Sequence, residues 1–137
     1  MREFVLDASF ALRWCFEDEA TPETESLLTA LQNQLALAWV PGIWPYEMLN
    51  GFGKGVTRQR LSRSKAFLLW REMQVLPIRV SDVSLDENLL ELALHYNLAV
   101  YDACYLSLTQ ARAIPIATTD GKLREAAEGI GFQVIRP

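Results

Sequence analysis

The chain reads as an α/β protein, a three-layer α/β/α sandwich around a mostly parallel central sheet. Three observations predict this. Short apolar runs of strand type alternate with longer segments of helical period. The helical stretches between strands, of roughly ten residues or more, are too long for hairpins and suit parallel crossovers. The 137 residues, 50% hydrophobic and 22% charged, show no repeat, linker or composition break and make one domain over residues 1–137.

The elements follow in order. Phe4-Val5-Leu6 is a short strand ending at Asp7, and Phe10 to Phe16 is amphipathic. Thr21-Pro22 starts a helix, with Thr as cap and Pro at the first helical position, and Leu27, Leu28, Leu31 and Leu35 recur at helical spacing. Leu37 to Val40 is the second strand, closed by Pro41-Gly42. Pro45 opens a helix bearing Tyr46, Leu49 and Asn50, whose end Gly51, Gly53 and Gly55 are expected to loosen. Ser62 caps a helix to about Gln74, with Ala66, Leu69, Trp70 and Met73 as its apolar stripe. Leu76 to Val80 alternates like a strand, and Pro77 places it at a sheet edge. Helices over about Leu85–Tyr96 and Asp102–Arg112, a strand at Pro115–Thr118, a helix at Lys122–Glu128 and a strand at Phe132–Ile135 complete the order.

Several chemistries are excluded. Cys15 and Cys104 lie far apart and form no C-x-x-C pair, which removes zinc-ribbon and thioredoxin readings; both are expected to act as small buried hydrophobes. His95 is the only histidine, so H-E-x-x-H metal sites are absent and a Ser-His-Asp nucleophile is disfavoured. The start, Met1-Arg2-Glu3-Phe4-Val5-Leu6-Asp7, lacks signal-peptide character, and the longest apolar stretch, Leu35 to Val40, is far too short to span a membrane. A cytoplasmic location is expected. Seventeen acids against thirteen bases give a net charge of −4, which offers no global attraction to a phosphate backbone.

Ligands of parallel sheets bind beyond the carboxyl ends of the strands, so carboxylates at strand-to-helix junctions carry the most information. Four acids meet that criterion: Asp7, Glu47, Asp102 (read as the cap of its helix) and Asp120. As isolated residues Asp102 and Asp120 could simply be helix caps, and Glu47 could simply complement a helix dipole. Converging at one sheet edge, four acids repel each other unless a cation lies between them. An all-carboxylate cluster without Cys or His suits the hard cations Mg²⁺ or Mn²⁺, and metal-assisted phosphoryl transfer is the chemistry such a site supports.

The motifs that carry these acids are Val5-Leu6-Asp7-Ala8-Ser9, Pro45-Tyr46-Glu47-Met48-Leu49-Asn50, Tyr101-Asp102-Ala103-Cys104-Tyr105-Leu106 and Thr118-Thr119-Asp120-Gly121-Lys122-Leu123. In this order and at these separations the chain resembles the PIN-domain family, specifically its VapC-type toxins, over essentially its whole length. The resemblance implies a PIN-like fold and a Mg²⁺- or Mn²⁺-dependent endoribonuclease with Asp7, Glu47, Asp102 and Asp120 as catalytic and metal-binding acids. Ser9, Asn50 and Thr118 match supporting polar positions. It further implies an antitoxin partner that occludes the acidic cleft, and a homodimer. The competing reading is a PIN-like module that binds RNA or protein without cutting. Asn97 stands where relatives often carry Gly, and Asn also tolerates the left-handed conformation at a helix end.

Charge is segregated along the chain. From Met48 to Arg71 there are six bases (Lys54, Arg58, Arg60, Arg63, Lys65, Arg71) and no acid, leaving seven bases against seventeen acids elsewhere. Lys54, Arg58, Arg60, Arg63 and Lys65 are the candidate contacts to RNA phosphates, against a bland alternative of a solvated basic surface. Trp44 and Tyr46 could stack on bases, but core packing is the expected use of both.

Overall fold

Phe4, Val5 and Leu6 are completely buried, and the strand that carries them is the centre of the sheet. In a computed structural model describing residues 1–137, strand β1 (Arg2–Leu6) pairs on one side with β2 (Ala36–Val40) and on the other with β4 (Ile116–Ala117). β3 (Ile78–Val80) extends the sheet beyond β2, and β5 (Val134–Ile135) extends it beyond β4. All pairings are parallel, in the order β3-β2-β1-β4-β5. β3 is an edge strand, as Pro77 predicts.

The helices are α1 (Ala8–Ala11), α2 (Pro22–Gln32), α3 (Trp44–Thr57), α4 (Arg63–Gln74), α5 (Glu87–His95), α6 (Val100–Arg112) and α7 (Gly121–Ile130). Short 3₁₀ turns at Leu12–Trp14 and Glu17–Glu19 continue α1. Right-handed crossovers put α1 to α4 on one face while the chain moves from β1 out to β3, and α5 to α7 on the other as it returns to β4 and β5. The helix packing agrees: α3 lies on α1 and α4, while α6 lies on α5, α7 and strands β1 and β2. This is the predicted three-layer sandwich, with its main core of 28 buried residues between the layers. The strand order reverses at β1, so the crevice beyond the carboxyl ends of β1 and β4 is the topological switch point.

Local signals explain most boundaries. Thr21 and Thr24 form a reciprocal capping box with Pro22 at the first position, and Ser62 and Asp86 cap α4 and α5. Asn97 is left-handed (φ 53°) after α5, as its residue type allows. Four expectations need correction. Leu35 is exposed and outside α2, because Gln34 turns left-handed (φ 57°) once the helix has ended. Asp102 does not cap α6: Ala99 occupies the cap position, and Asp102 lies in the first turn. Trp44 is buried, but Tyr46 is 72% exposed, because the two point to different sides of α3. The glycines do not loosen α3, which runs through all of them to Thr57. A Cβ at Gly51 would stand 2.6 Å from Leu12 Cδ2, and one at Gly55 would stand 2.9 Å from Leu61 Cδ1. Those two glycines permit close packing.

Gly53 differs from them. It is exposed in mid-helix, and a Cβ there meets nothing within 4 Å. Gly53→Ala is expected to stabilise the fold by roughly 0.5–1 kcal/mol through helix propensity alone, read as a higher urea midpoint at unchanged m-value.

Candidate acidic active site

Asp7 emerges from the end of β1 into the switch-point crevice and is only 4% exposed. It occupies the N-cap position of α1 but makes no side-chain cap. Instead its Oδ2 accepts hydrogen bonds from Ser9 Oγ (2.6 Å) and Thr118 Oγ1 (2.7 Å). Each hydroxyl also accepts a backbone N–H: Ser9 from Thr119, and Thr118 from Asp120. The two hydroxyls also lie 3.4 Å from each other, but their much shorter contacts are to the carboxylate, an acceptor only, so each donates its single proton to Asp7. The circuit ties the end of β1 to the loop between β4 and α7.

The other acids come from three different elements. Asp120 is the true cap of α7: its Oδ1 accepts from Lys122 N (2.9 Å) and Leu123 N (3.3 Å), and its second oxygen has no hydrogen-bond partner. Glu47 lies in the first turn of α3, where its Oε1 accepts from the Tyr105 hydroxyl at 2.6 Å. Asp102, in the first turn of α6, makes no hydrogen bond or ion pair. Neither α3 nor α6 has a side-chain cap, so their acids complement the positive helix ends directly. Ser9 and Thr118 thus join the acids, whereas Asn50 is exposed on α3 with no hydrogen bond of its own.

The electrostatics follow from burial without counter-charge. Burial pushes the Asp7 carboxyl above the usual range; the Ser9 and Thr118 hydrogen bonds oppose this and the Asp120 charge adds to it. Burial also raises Glu47, opposed by the Tyr105 hydroxyl and reinforced by Asp7 and Asp102. Asp102 is raised by burial, then by Asp120 and Asp7. No base offsets them: the ion pairs of the molecule are Arg60 with Asp18 and Glu19, and Arg136 with Glu128. Hard oxygen donors with no paired base fit a divalent cation such as Mg²⁺ or Mn²⁺. The acids ring the crevice, however, and no three are gathered into a ready-made coordination set.

The basic segment is less uniform than its sequence. Lys54, Arg58, Arg63 and Lys65 are exposed and unpaired on α3 and α4 and the turn between them. Arg60 is committed elsewhere, stacking over Phe16 at 4.2 Å while pairing with Asp18 (2.9 Å) and Glu19 (3.1 Å). Tyr105 received no role from the sequence; its spacing of three from Asp102 on one helix was the available signal. Both cysteines are free and buried, and burial pushes the Cys15 thiol up to about 12, so it is inert.

The raised carboxyls set a pH dependence of unusual sign. A carboxyl bound more tightly to its proton in the folded state contributes stability below its unfolded pKa, about 4, and loses it as pH rises through the folded value. Asp7→Asn keeps an oxygen for Ser9 and Thr118 and removes the charge. In metal-free buffer at pH 7 it is expected to stabilise the fold, because the variant carries no buried charge to desolvate. The gain should vanish below about pH 4, as measured by denaturant unfolding across pH.

The PIN domain family model matches residues 4–129. Solved structures of similar fold include PAE2754 from Pyrobaculum aerophilum (TM-score 0.73, 18% identity, 98% of this chain and 84% of that one). VapC20 of Mycobacterium tuberculosis, a toxin that cleaves the sarcin–ricin loop, gives TM-score 0.65 at 14% identity over 98% and 99% of the two chains. A toxin–antitoxin complex from Klebsiella pneumoniae gives 0.59 at 19% identity over 93% and 92%. None of the curated proteins matches by sequence. No helix is long and apolar enough to cross a membrane. With a match over nearly the whole chain and four acids around its switch-point crevice, the chain belongs to the PIN-domain family.

Proposed function

We propose that the protein is a divalent-metal-dependent endoribonuclease, the toxin of a toxin–antitoxin pair, with Asp7, Glu47, Asp102 and Asp120 as its catalytic and metal-binding acids. One observation carries the reading: four carboxylates from four separate elements surround the switch-point crevice, and no base neutralises them. A bound Mg²⁺ or Mn²⁺ would supply activation of water and neutralisation of charge developing on phosphate oxygens. The protein's own part is positional. Ser9 and Thr118 fix Asp7, the α7 backbone fixes one oxygen of Asp120, and Asp102 is left unengaged.

Substrate binding is assigned to Lys54, Arg58, Arg63 and Lys65, with Arg60 acting in the fold through its ion pairs. Asn50, exposed one turn from Glu47, would support the edge of the site. The proposed partners are RNA, a cognate antitoxin and a second copy of the chain. The VapC20 and toxin–antitoxin neighbours support this reading by analogy of fold.

The test is RNA cleavage with Mg²⁺ or Mn²⁺. Cleavage should be abolished by EDTA and fall about a hundredfold or more in Asp7→Asn and Asp102→Asn, with folding checked by circular dichroism. Undiminished cleavage in both variants would overturn the assignment; metal-independent RNA binding without cleavage would favour a binding module. Replacing Lys54, Arg58, Arg63 or Lys65 by Ala should weaken RNA binding. The slope of log affinity against log salt should become shallower by about 0.7 for each phosphate that is no longer neutralised.

A further inference from the structure

Tyr105 is wholly buried in the main core, yet its one polar atom reaches the acidic crevice. Phenylalanine would fill the same volume without a polar group to satisfy, so core packing does not account for the hydroxyl. Its bond to Glu47 Oε1 is short, 2.6 Å, and links residues 58 apart in sequence. It therefore runs from α6, one turn beyond Asp102, to the first turn of α3, which belongs to the opposite helix layer. The Glu47 carboxylate can only accept, so the phenol is the donor of this bond.

Glu47 needs such a restraint. It is a partly exposed side chain with three rotatable torsions, and the charges of Asp7 and Asp102 bear on it. Repulsion and side-chain entropy both favour rotation out to water. Tyr105 is the only hydrogen-bond partner its carboxylate has, and the ring is immobilised by the core on all sides. The bond occupies Oε1 and leaves Oε2 without a partner inside the protein.

We infer that Tyr105 is a positioning residue, which holds the Glu47 carboxylate in the crevice with one oxygen committed and the other presented to a divalent cation. The inference rests on the metal-dependent reading above and goes beyond it by assigning a role to a residue outside the acidic quartet. Partners of this kind, behind a metal-binding carboxylate, typically change metal affinity by about 10–100-fold when removed.

The experiment is a titration of the full chain with Mn²⁺, following the free-ion signal by electron paramagnetic resonance. Tyr105→Phe is expected to weaken Mn²⁺ binding about tenfold. Its metal-free melting temperature should be unchanged or raised, which separates positioning from folding. Tyr105→Met, a second way of deleting the hydroxyl, should give the same loss of affinity. In a Glu47→Gln background, Tyr105→Phe should add no further loss, because its effect passes through that carboxylate. Mn²⁺ binding by the wild type that is unchanged in Tyr105→Phe would overturn this inference alone. An equal further loss in the Glu47→Gln background would also overturn it. If the wild-type chain binds no Mn²⁺, the metal-dependent reading falls and this inference falls with it.

Discussion

Asp7 is a charged group placed where the fold is least hospitable to charge. It continues a strand whose last three residues are completely buried, in the middle of a sheet covered on both faces. Nothing of opposite charge faces it, and its solvation is replaced by two hydroxyl protons from Ser9 and Thr118. Thr118 is separated from it by 111 residues, so the carboxylate is satisfied only when β1 and β4 are side by side. The register places Leu6 opposite Ala117, which brings the next residues of both strands, Asp7 and Thr118, together. The local requirement of one carboxylate and the global reversal of strand order are therefore met by the same pairing.

The remaining acids depend on that arrangement through helix starts. Three of the four elements that enter the crevice present the amino end of a helix of ten or more residues: α3, α6 and α7. Each such end carries unpaired N–H groups and a partial positive charge, which favours carboxylates nearby. Asp120 uses the backbone donors directly as a cap, whereas Glu47 and Asp102 lie within the first turns of their helices and do not cap them. The positive helix ends moderate the repulsion without removing it, since burial and mutual charge still raise three of the four carboxyls.

What the sequence revealed and what it concealed divide by range. Strand runs, the caps at Thr21 and Ser62, the edge position marked by Pro77 and the left-handed Asn97 are governed by nearby residues, and all were legible. The position of each acid at a junction was legible for the same reason. Features set by a distant partner were not. Gly51 and Gly55 look like helix breakers until Leu12 and Leu61 are seen against them. Arg60 looks like its basic neighbours until Asp18 and Glu19 are found beside it. Tyr46 and Trp44 are two positions apart on one helix, so only the placement of the sheet decides which turns inward. Tyr105 belongs here too, because its partner lies 58 residues away.

The charge balance gains a spatial meaning from the same facts. A net charge of −4 disfavours RNA only if charge is spread evenly, and here it is not. The acids of the crevice repel a phosphate backbone, while the exposed bases of α3 and α4 stand on the helix that carries Glu47 in its first turn and on its neighbour. On the proposed reading these two regions have to act together. Bases without a cation at the acids would hold RNA away from the crevice. A cation without the bases would neutralise the acids but leave the rest of an acidic surface facing the strand. Affinity and chemistry then respond to different variables: binding to ionic strength through the bases, and cleavage to divalent metal through the acids.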